Sequence, residues 1–389
     1  MTDRDALWAA ILANPDDDLP RLIYADWLDE NGDKFDRLQA RFIRAQVEFA
    51  RTDPHGPERD RLRREVLPVE MAHAKTWAKW PAGLVLTSRF GRGFVEEVTM
   101  YSKRFVTEGE SLFTVQPVRG VKFADMTGGR GVATPADLFA CPHLARLHTV
   151  HFIGWPVDDS FAGHLTRSPH LSGLRCLRVG AGKLTPPGLR SILEATTLPT
   201  LSEFIASGSV NLGDNALVAL AMSQQLTRIR VLEFQDCRVG AEGVRSLARS
   251  EYAVGLRVLR LGRIPSPVET PLRGSGSVLL AESRSLRGLE ELALTGQELR
   301  KRGAEAFAKA YAWSGLRRLS LQGNGILASA IPAFAANPAF RSLAVFDLTN
   351  NPITTADLDP LRAACPNTVF MTDDTVRSTV LAHPSEDRP

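Results

Sequence analysis

The sequence predicts an α/β solenoid with a parallel inner sheet and outer helices, preceded by a small all-α N-terminal module. Three observations predict it. The form apolar-x-x-apolar-x-apolar occurs ten times, starting at Val95, Val118, Leu147, Leu174, Leu201, Ile229, Leu256, Leu289, Leu316 and Leu343, with spacings of 23, 29, 27, 27, 28, 27, 33, 27 and 27 residues. Eight positions after several of these starts comes a residue able to bond the backbone (Cys237, Gln297, Asn324, Asn351), and two further on another apolar one (Val239, Leu299, Ile326, Ile353). Between the strands, GAEGVRSLARS (240–250) and RGAEAFAKAYAW (302–313) carry apolar residues at helical spacing.

Each position has a physical reason. Side chains alternate across a strand, so pairs such as Leu177 and Val179, or Leu319 and Leu321, share one face and need a cover. A single unit cannot supply that cover, whereas stacked units build one continuous core. The Asn or Cys turns inward where the chain leaves the strand and satisfies backbone groups that would otherwise be buried without partners. This pattern resembles leucine-rich repeats, and the period of about 27 resembles their ribonuclease-inhibitor-like class, which implies a horseshoe of about ten repeats over 91–374. Pro142, Pro169 and Pro338, each five residues before a start, are expected to end the preceding helix. The unit of 33 carries a loop insertion in RIPSPVETPLRGSGS, within 262–277, either a tolerated surface loop or one that reaches a partner. NTVFMTDD (367–374) reads as a degenerate last strand, and 375–389 as a flexible tail.

Residues 1–90 follow helical spacing instead. Leu7, Trp8, Ile11 and Leu12 form one stripe; Leu19, Leu22, Ile23 and Trp27 a second, with Asp18 as expected N-cap, Pro20 just inside and Gly32 as C-terminal cap; Leu38, Phe42 and Phe49 a third. A longer helix is expected from Pro57 towards Trp80, bent at Pro68. Residues 1–36 hold ten acids against Arg4, Arg21 and Lys34, a net of −7, and residues 37–64 hold eight arginines against four acids, a net of +4. The simplest reading is intramolecular balance. DRDALWAAILANPDDDLPRLIYADWLDENGD followed by ARFIRAQ resembles the bacterial repeat-companion domain, a small N-terminal module typically followed by leucine-rich repeats. WAKWPAGLVLTSRFGRGFVEEVTM is similar to the junction in such proteins, with RGFVEEV opening the first repeat strand. The residues Lys34 to Gln39 depart from that pattern and are expected to lengthen the link before the third helix. The resemblance implies architecture and brings no catalytic residues.

Composition bounds the function. With 44% hydrophobic and 23% charged residues the 389-residue chain reads as soluble and globular, and a net charge of +3 is no electrostatic reason to expect nucleic acid. No run approaches the ~20 apolar residues needed to span a bilayer. Cys141, Cys176, Cys237 and Cys365 lie far apart without C-x-x-C, and the acidic start lacks a signal-peptide pattern, so a reduced, cytoplasmic monomer is expected. The residues Gly180 to Leu184 fail the phosphate-loop pattern, and H-E-x-x-H and G-x-S-x-G are absent. DENGD lacks calcium-loop spacing. In CPHLARLHTVHF, His148 and His151 fall on opposite faces of a strand, which disfavours zinc. No catalytic, cofactor-binding or metal-ligating residue is therefore assigned.

What remains is the exposed, concave sheet face, the usual interaction surface of such arrays. The candidate partner-binding residues are Tyr101, Lys122, His151, Arg178, Glu203, Glu233, Asp236, Arg260, Arg263, Glu291, Arg318 and Asp347. Tyr and Arg are types enriched at binding hot spots. The mixed signs argue against a polyanion, and the lack of an apolar stripe against lipid. The expectation is a non-catalytic scaffold for a protein partner; the alternative is a regulatory or catalytic protein in which the acidic N-terminal helices, with Asp26, Asp29 and Asp33, act while the repeats select the substrate.

Overall fold

The structure, a computed structural model, describes residues 2–54, 56–81, 83–125, 131–263, 271–310 and 313–374. The strands are β1 (Thr87–Gly91), β2 (Phe94–Met100), β3 (Gly120–Phe123), β4 (Thr149–Phe152), β5 (Cys176–Val179), β6 (Glu203–Ser207), β7 (Val231–Gln235), β8 (Val258–Gly262), β9 (Glu291–Thr295), β10 (Arg318–Ser320), β11 (Val345–Asp347) and β12 (Val369–Met371). They form one sheet in sequence order. All ten predicted strands are present, and Glu97 lies opposite Gly120 and Gly120 opposite Thr149, each two residues after its start. Helices alternate with the strands throughout, from α5 (Ser102–Glu108), α6 (Glu110–Val115), α7 (Pro135–Phe139), α8 (Asp159–Arg167) and α9 (Pro186–Glu194) to α10 (Gly213–Ala221), α11 (Ala241–Arg249), α12 (Arg273–Ala281), α13 (Arg300–Ala308), α14 (Ile331–Ala335) and α15 (Asp359–Ala364). This is an α/β solenoid of leucine-rich-repeat type.

The N-terminal helices are α1 (Asp3–Ala13), α2 (Leu19–Asn31), α3 (Lys34–Arg51) and α4 (Pro57–Trp77), the last containing Pro68. Three expectations change here. Asp18 sits at the α2 N-cap position without capping it; the Asp17 carboxylate accepts the Leu19 N–H at 2.9 Å, and Asp18 turns to Arg51 and Arg92. No long link precedes α3, because Asp33 and Asp36 form a reciprocal capping box that starts the helix at Lys34. The buried face of α2 is Arg21, Tyr24, Ala25 and Leu28, while Leu19 and Ile23 are exposed. Arg21 displaces the aliphatic stripe because both of its terminal nitrogens find carbonyl or carboxylate partners, its Nε alone remaining without one.

The chain divides into two compact units, residues 1–155 with 164–178 and 196–200, and residues 156–163 with 179–195 and 201–389. In the first, Ile11, Tyr24, Leu28, Ala40, Ile43 and Val47 pack on Phe94 of β2. A strand absent from the sequence reading, β1, pairs antiparallel with β2 through a turn in which Arg92 (φ 52°) and Gly93 (φ 88°) are left-handed, as a two-residue hairpin demands. Gly93 is doubly constrained: a Cβ there would lie 2.5 Å from Ile43 Cγ1, and its N–H donates to Gln46 Oε1 at 2.8 Å. Gln116 joins the two ends of this junction, accepting from the Val95 N–H and donating to the Trp77 carbonyl.

The second unit is held by polar ladders within its stacked repeats. Asn351 donates to the Leu321, Leu348 and Thr349 carbonyls and accepts from the Asn324 and Ile326 N–H groups; Asn324 accepts from the Gln297 N–H, and Gln297 donates to the Leu261 carbonyl. Cys237, at the equivalent position, is buried with its thiol pushed up to about 12, chiefly by burial. The residue just before this position is left-handed in repeat after repeat, as at Gly208, Asp236, Gly296, Gly323 and Asn350, and the residue types are those that tolerate it. Six residues before the strand pattern a further polar residue closes the helix end of the preceding repeat: Ser250 donates to the Ala221 carbonyl, Ser283 to Ala248 and Asn337 to Ala308.

Pro142 and Pro338 open 3₁₀ turns, Pro142–Arg146 and Pro338–Ser342, rather than simply ending helices. RGSGS belongs to α12, which shortens the insertion; residues 264–270 of it and the tail 375–389 lie outside the described residues. The expected last strand is β12.

Candidate functional site on the exposed sheet face

In the first unit, the fourth residue after each start places Thr99, Lys122, His151 and Arg178 in a row on β2 to β5, with Thr99 opposite Lys122 and Lys122 opposite His151. Neighbouring strands lie about 4.8 Å apart, so this register sets Lys122 beside the imidazole, and Arg178 is near enough to act on it. His151 is half-buried and its pKa is lowered to about 4, first by burial and then by Lys122 and Arg178. It is neutral at pH 7. Tyr101, 41% exposed, stands beyond the end of β2.

The same position in the second unit carries Ile205, Glu233, Arg260, Ala293, Ser320 and Asp347. Here the charges meet. Arg260 Nη1 lies 2.9 Å from Glu233 Oε2, Nε lies 2.7 Å from Glu291 Oε1, and Nη2 donates to Glu291 Oε2 at 3.1 Å. Burial opposes the Arg260 charge, but hydrogen bonding and attraction from Glu291 and then Glu233 outweigh it and raise the pKa. Arg318 Nε approaches the same Glu291 more loosely, at 3.9 Å.

Three residues expected on the exposed face are buried. Glu291 is covered by Arg260. Asp347 accepts from Ser320 Oγ at 3.0 Å and from Thr349 N and Oγ1 at 3.0 and 2.7 Å, so the hydroxyls fold over it. Arg263, 6% exposed, is drawn under the next repeat, where its N–H donates to the Thr295 carbonyl and its guanidinium lies 3.7 Å from Glu298. Glu203, Asp236 and Arg318 remain partly exposed.

Several charges of the N-terminal helices pair with one another and with the first repeats. Arg44 bridges Asp26 and Asp29 at 2.8 Å each, Asp33 caps α3, Arg4 pairs with Asp36, and Asp16 meets Arg119 at 2.9 Å and His148 at 3.5 Å. Asp26, Asp29 and Asp33 therefore do not converge on a reacting group. Arg21, fully buried, is the residue that sequence reasoning missed. Its Nη2 lies 2.8 Å from Glu96 and donates to the Pro15 carbonyl at 2.7 Å, Nη1 reaches the Gly91 and Arg92 carbonyls, and its pKa falls to about 10, chiefly through burial. The arginine inside the predicted helix, three residues before Tyr24, was its only trace. The histidines diverge: His143 turns to Glu110, His148 to Asp16 and His151 to the sheet face. Among the described residues no group of three or more His, Cys, Asp or Glu side chains could hold a metal ion, and no helix is long and apolar enough to cross a membrane.

No family model and no curated protein matches the sequence. Among solved structures, an internalin from Listeria monocytogenes is 16% identical, with a TM-score of 0.40 over 66% of this chain and 67% of that chain. The Rad7 and Elc1 complex of yeast is 13% identical, with a TM-score of 0.37 over 95% of this chain and 92% of that chain. Likenesses at this level carry no weight for function.

Proposed function

We propose that this protein is a non-catalytic scaffold that binds a protein partner on the exposed face of its sheet. One observation carries the reading: the face presents Tyr101, Lys122 and Arg178 in the first unit, and Glu203 and Arg318 in the second, each set from a hydrogen-bonded backbone, so little ordering is needed to bind. The alternative, chemistry by the acidic helices, loses support because Asp26, Asp29 and Asp33 are engaged in an ion-pair bridge and a cap. We read residues 1–90 as a repeat-companion module that caps the array, 91–374 as the repeats and 375–389 as a tail, in a bacterial, cytoplasmic, monomeric protein; the four free, buried cysteines support a reducing compartment. Affinity capture from the native host tests the scaffold reading. Tyr101→Ala with Arg318→Ala is expected to change the set of co-purifying proteins, and an unchanged set overturns it.

A further inference from the structure

The N-terminal end of a helix carries partial positive charge and favours acids in its first turn. Two neighbouring helices of the second unit depart from this. α12 opens with Arg273 and Gly274, α13 with Arg300, Lys301 and Arg302; neither has an acid in its first turn or a side-chain cap, the N-cap residues being Leu272 and Leu299. Their first turns share a cavity of about 350 Å³ lined by Arg273, Gly274, Glu298, Leu299, Arg300 and Arg302. Its walls are fixed by the repeats. Left-handed backbone at Arg273 (φ 49°) and Arg300 (φ 50°) turns the chain into each helix, and the two N–H groups donate at 3.0 Å to the Gln297 and Asn324 carbonyls. The Arg302 stem lies along Gly274, where a Cβ would come within 2.7 Å of Arg302 Cβ.

Charge in the cavity is unbalanced. Among the described residues Glu298 is the one carboxylate of the lining, and it is shared, 3.4 Å from Arg300 Nη2 and 3.7 Å from Arg263 Nη2. Glu305, the next acid along α13, lies 3.9 Å from Lys301. Among the described residues Arg273 and Arg302 form no ion pair. A second, independent sign comes from Arg263. It is 6% exposed and directed at Glu298, yet its Nε and Nη1 are buried with no hydrogen-bond partner among the described residues. Burying a guanidinium with two unpaired donors is costly, and an anion held beside Glu298 would offset that cost.

We propose that this cavity binds a small soluble phosphate ester, with Arg273, Arg300, Arg302 and the uncapped first-turn N–H groups of α12 and α13 receiving its phosphoryl oxygens. Charge decides the class. Three arginines against one glutamate leave the lining at +2, which a phosphoryl group matches with about −1.5 to −2 at pH 7, whereas a carboxylate brings a single charge. Arginine forks and helix N-terminal amides are the donors that phosphate oxygens take. The volume falls within the range of small-ligand pockets, roughly 300–1,000 Å³, and so accommodates the group that carries the phosphate. The site lies at the strand-to-helix turns after β8 and β9, and its occupancy does not depend on the scaffold reading.

Titration calorimetry of the full chain with glycerol 3-phosphate at low ionic strength tests this, with glutarate as a dicarboxylate control. Saturable binding is expected, at least about tenfold tighter than that of glutarate. Arg273→Gln and Arg302→Gln, both at exposed positions, should each weaken it at least about fivefold, while Arg249→Gln, the same loss of charge at an exposed position of α11, leaves it within about twofold. Glu298→Gln should tighten it, because the competing carboxylate is gone. Far-UV circular dichroism confirms that each variant is folded. Glutarate binding as tightly as the phosphate ester overturns the proposal, as does unchanged affinity in Arg273→Gln and Arg302→Gln or an equal loss in Arg249→Gln. Binding to phosphatidate vesicles with none to free glycerol 3-phosphate overturns it too, since the ligand would then be a lipid headgroup.

Discussion

The same position in successive repeats carries opposite electrostatics in the two compact units. In the first, Lys122 and Arg178 flank a neutral His151 whose pKa they lower; in the second, Arg260 is clamped by Glu233 and Glu291. Backbone geometry is shared, so the difference lies in side chains alone. A charge that is neutralised within the fold acts as structure, whereas cations beside a half-buried imidazole set the pH at which it titrates. The largest expected effect tests the structural half. Glu291→Ala removes the carboxylate that accepts two bonds from Arg260 and leaves a partly buried guanidinium under-compensated, which should cost about 2–4 kcal/mol, read as a lower denaturant midpoint. A loss no greater than that of an exposed surface alanine would erase the contrast.

The next effect belongs to the first unit. His151 titrates at about 4 in the folded chain against 6.5 when free. Because the unfolded chain takes up the proton first, this histidine's contribution is fully present above about pH 6.5 and is lost as pH falls towards 4. The loss should amount to about 1–3 kcal/mol, and His151→Gln should flatten that part of a stability against pH curve. A curve equally steep in the variant would place the acid sensitivity elsewhere. Lys122→Glu is smaller: a carboxylate in place of the ammonium beside His151 should raise the pKa of the imidazole and reduce its acid loss by about 0.5–1 kcal/mol near pH 4. An unchanged acid loss would show that Lys122 does not act on the imidazole.

How much of this was legible beforehand depends on which physical term decides each element. The repeats were, because burying alternate side chains over ten stacked strands imposes a pattern that survives variation at any one position; the opposition of Glu97, Gly120 and Thr149 follows directly from it. The strand β1 was not, since TSRFG buries one residue and takes its place from the Arg92–Gly93 turn and from backbone pairing with β2. The buried face of α2 was misread for a related reason. Apolar spacing selects Leu19 and Ile23, whereas Arg21 is buried through bonds to Glu96 and to the Gly91, Arg92 and Pro15 carbonyls, partners 70 or more residues away except for the last. Of the candidate site, Lys122, His151 and Arg178 were placed correctly on the sheet face by alternation alone. The burial of Arg263, Glu291 and Asp347 was hidden, because it depends on side chains of other repeats closing over them.

The smallest effect is also the finest probe of the neutralised network. Glu291 serves two arginines unequally, Arg260 at 2.7 Å in a two-pronged contact and Arg318 at 3.9 Å through one nitrogen. The Arg318 side chain is 38% exposed, so water already screens most of its charge, and an ion pair of that kind is worth at most about 0.5 kcal/mol. Arg318→Ala should therefore barely move the unfolding midpoint, and the double variant with Glu291→Ala should equal the sum of the singles to within about 0.5 kcal/mol. A coupling well above that would mean that Arg318 is part of the clamp. The neutralised stretch would then extend one strand further, and Arg318 would pass from the set of side chains available to a partner to the set that holds the sheet together.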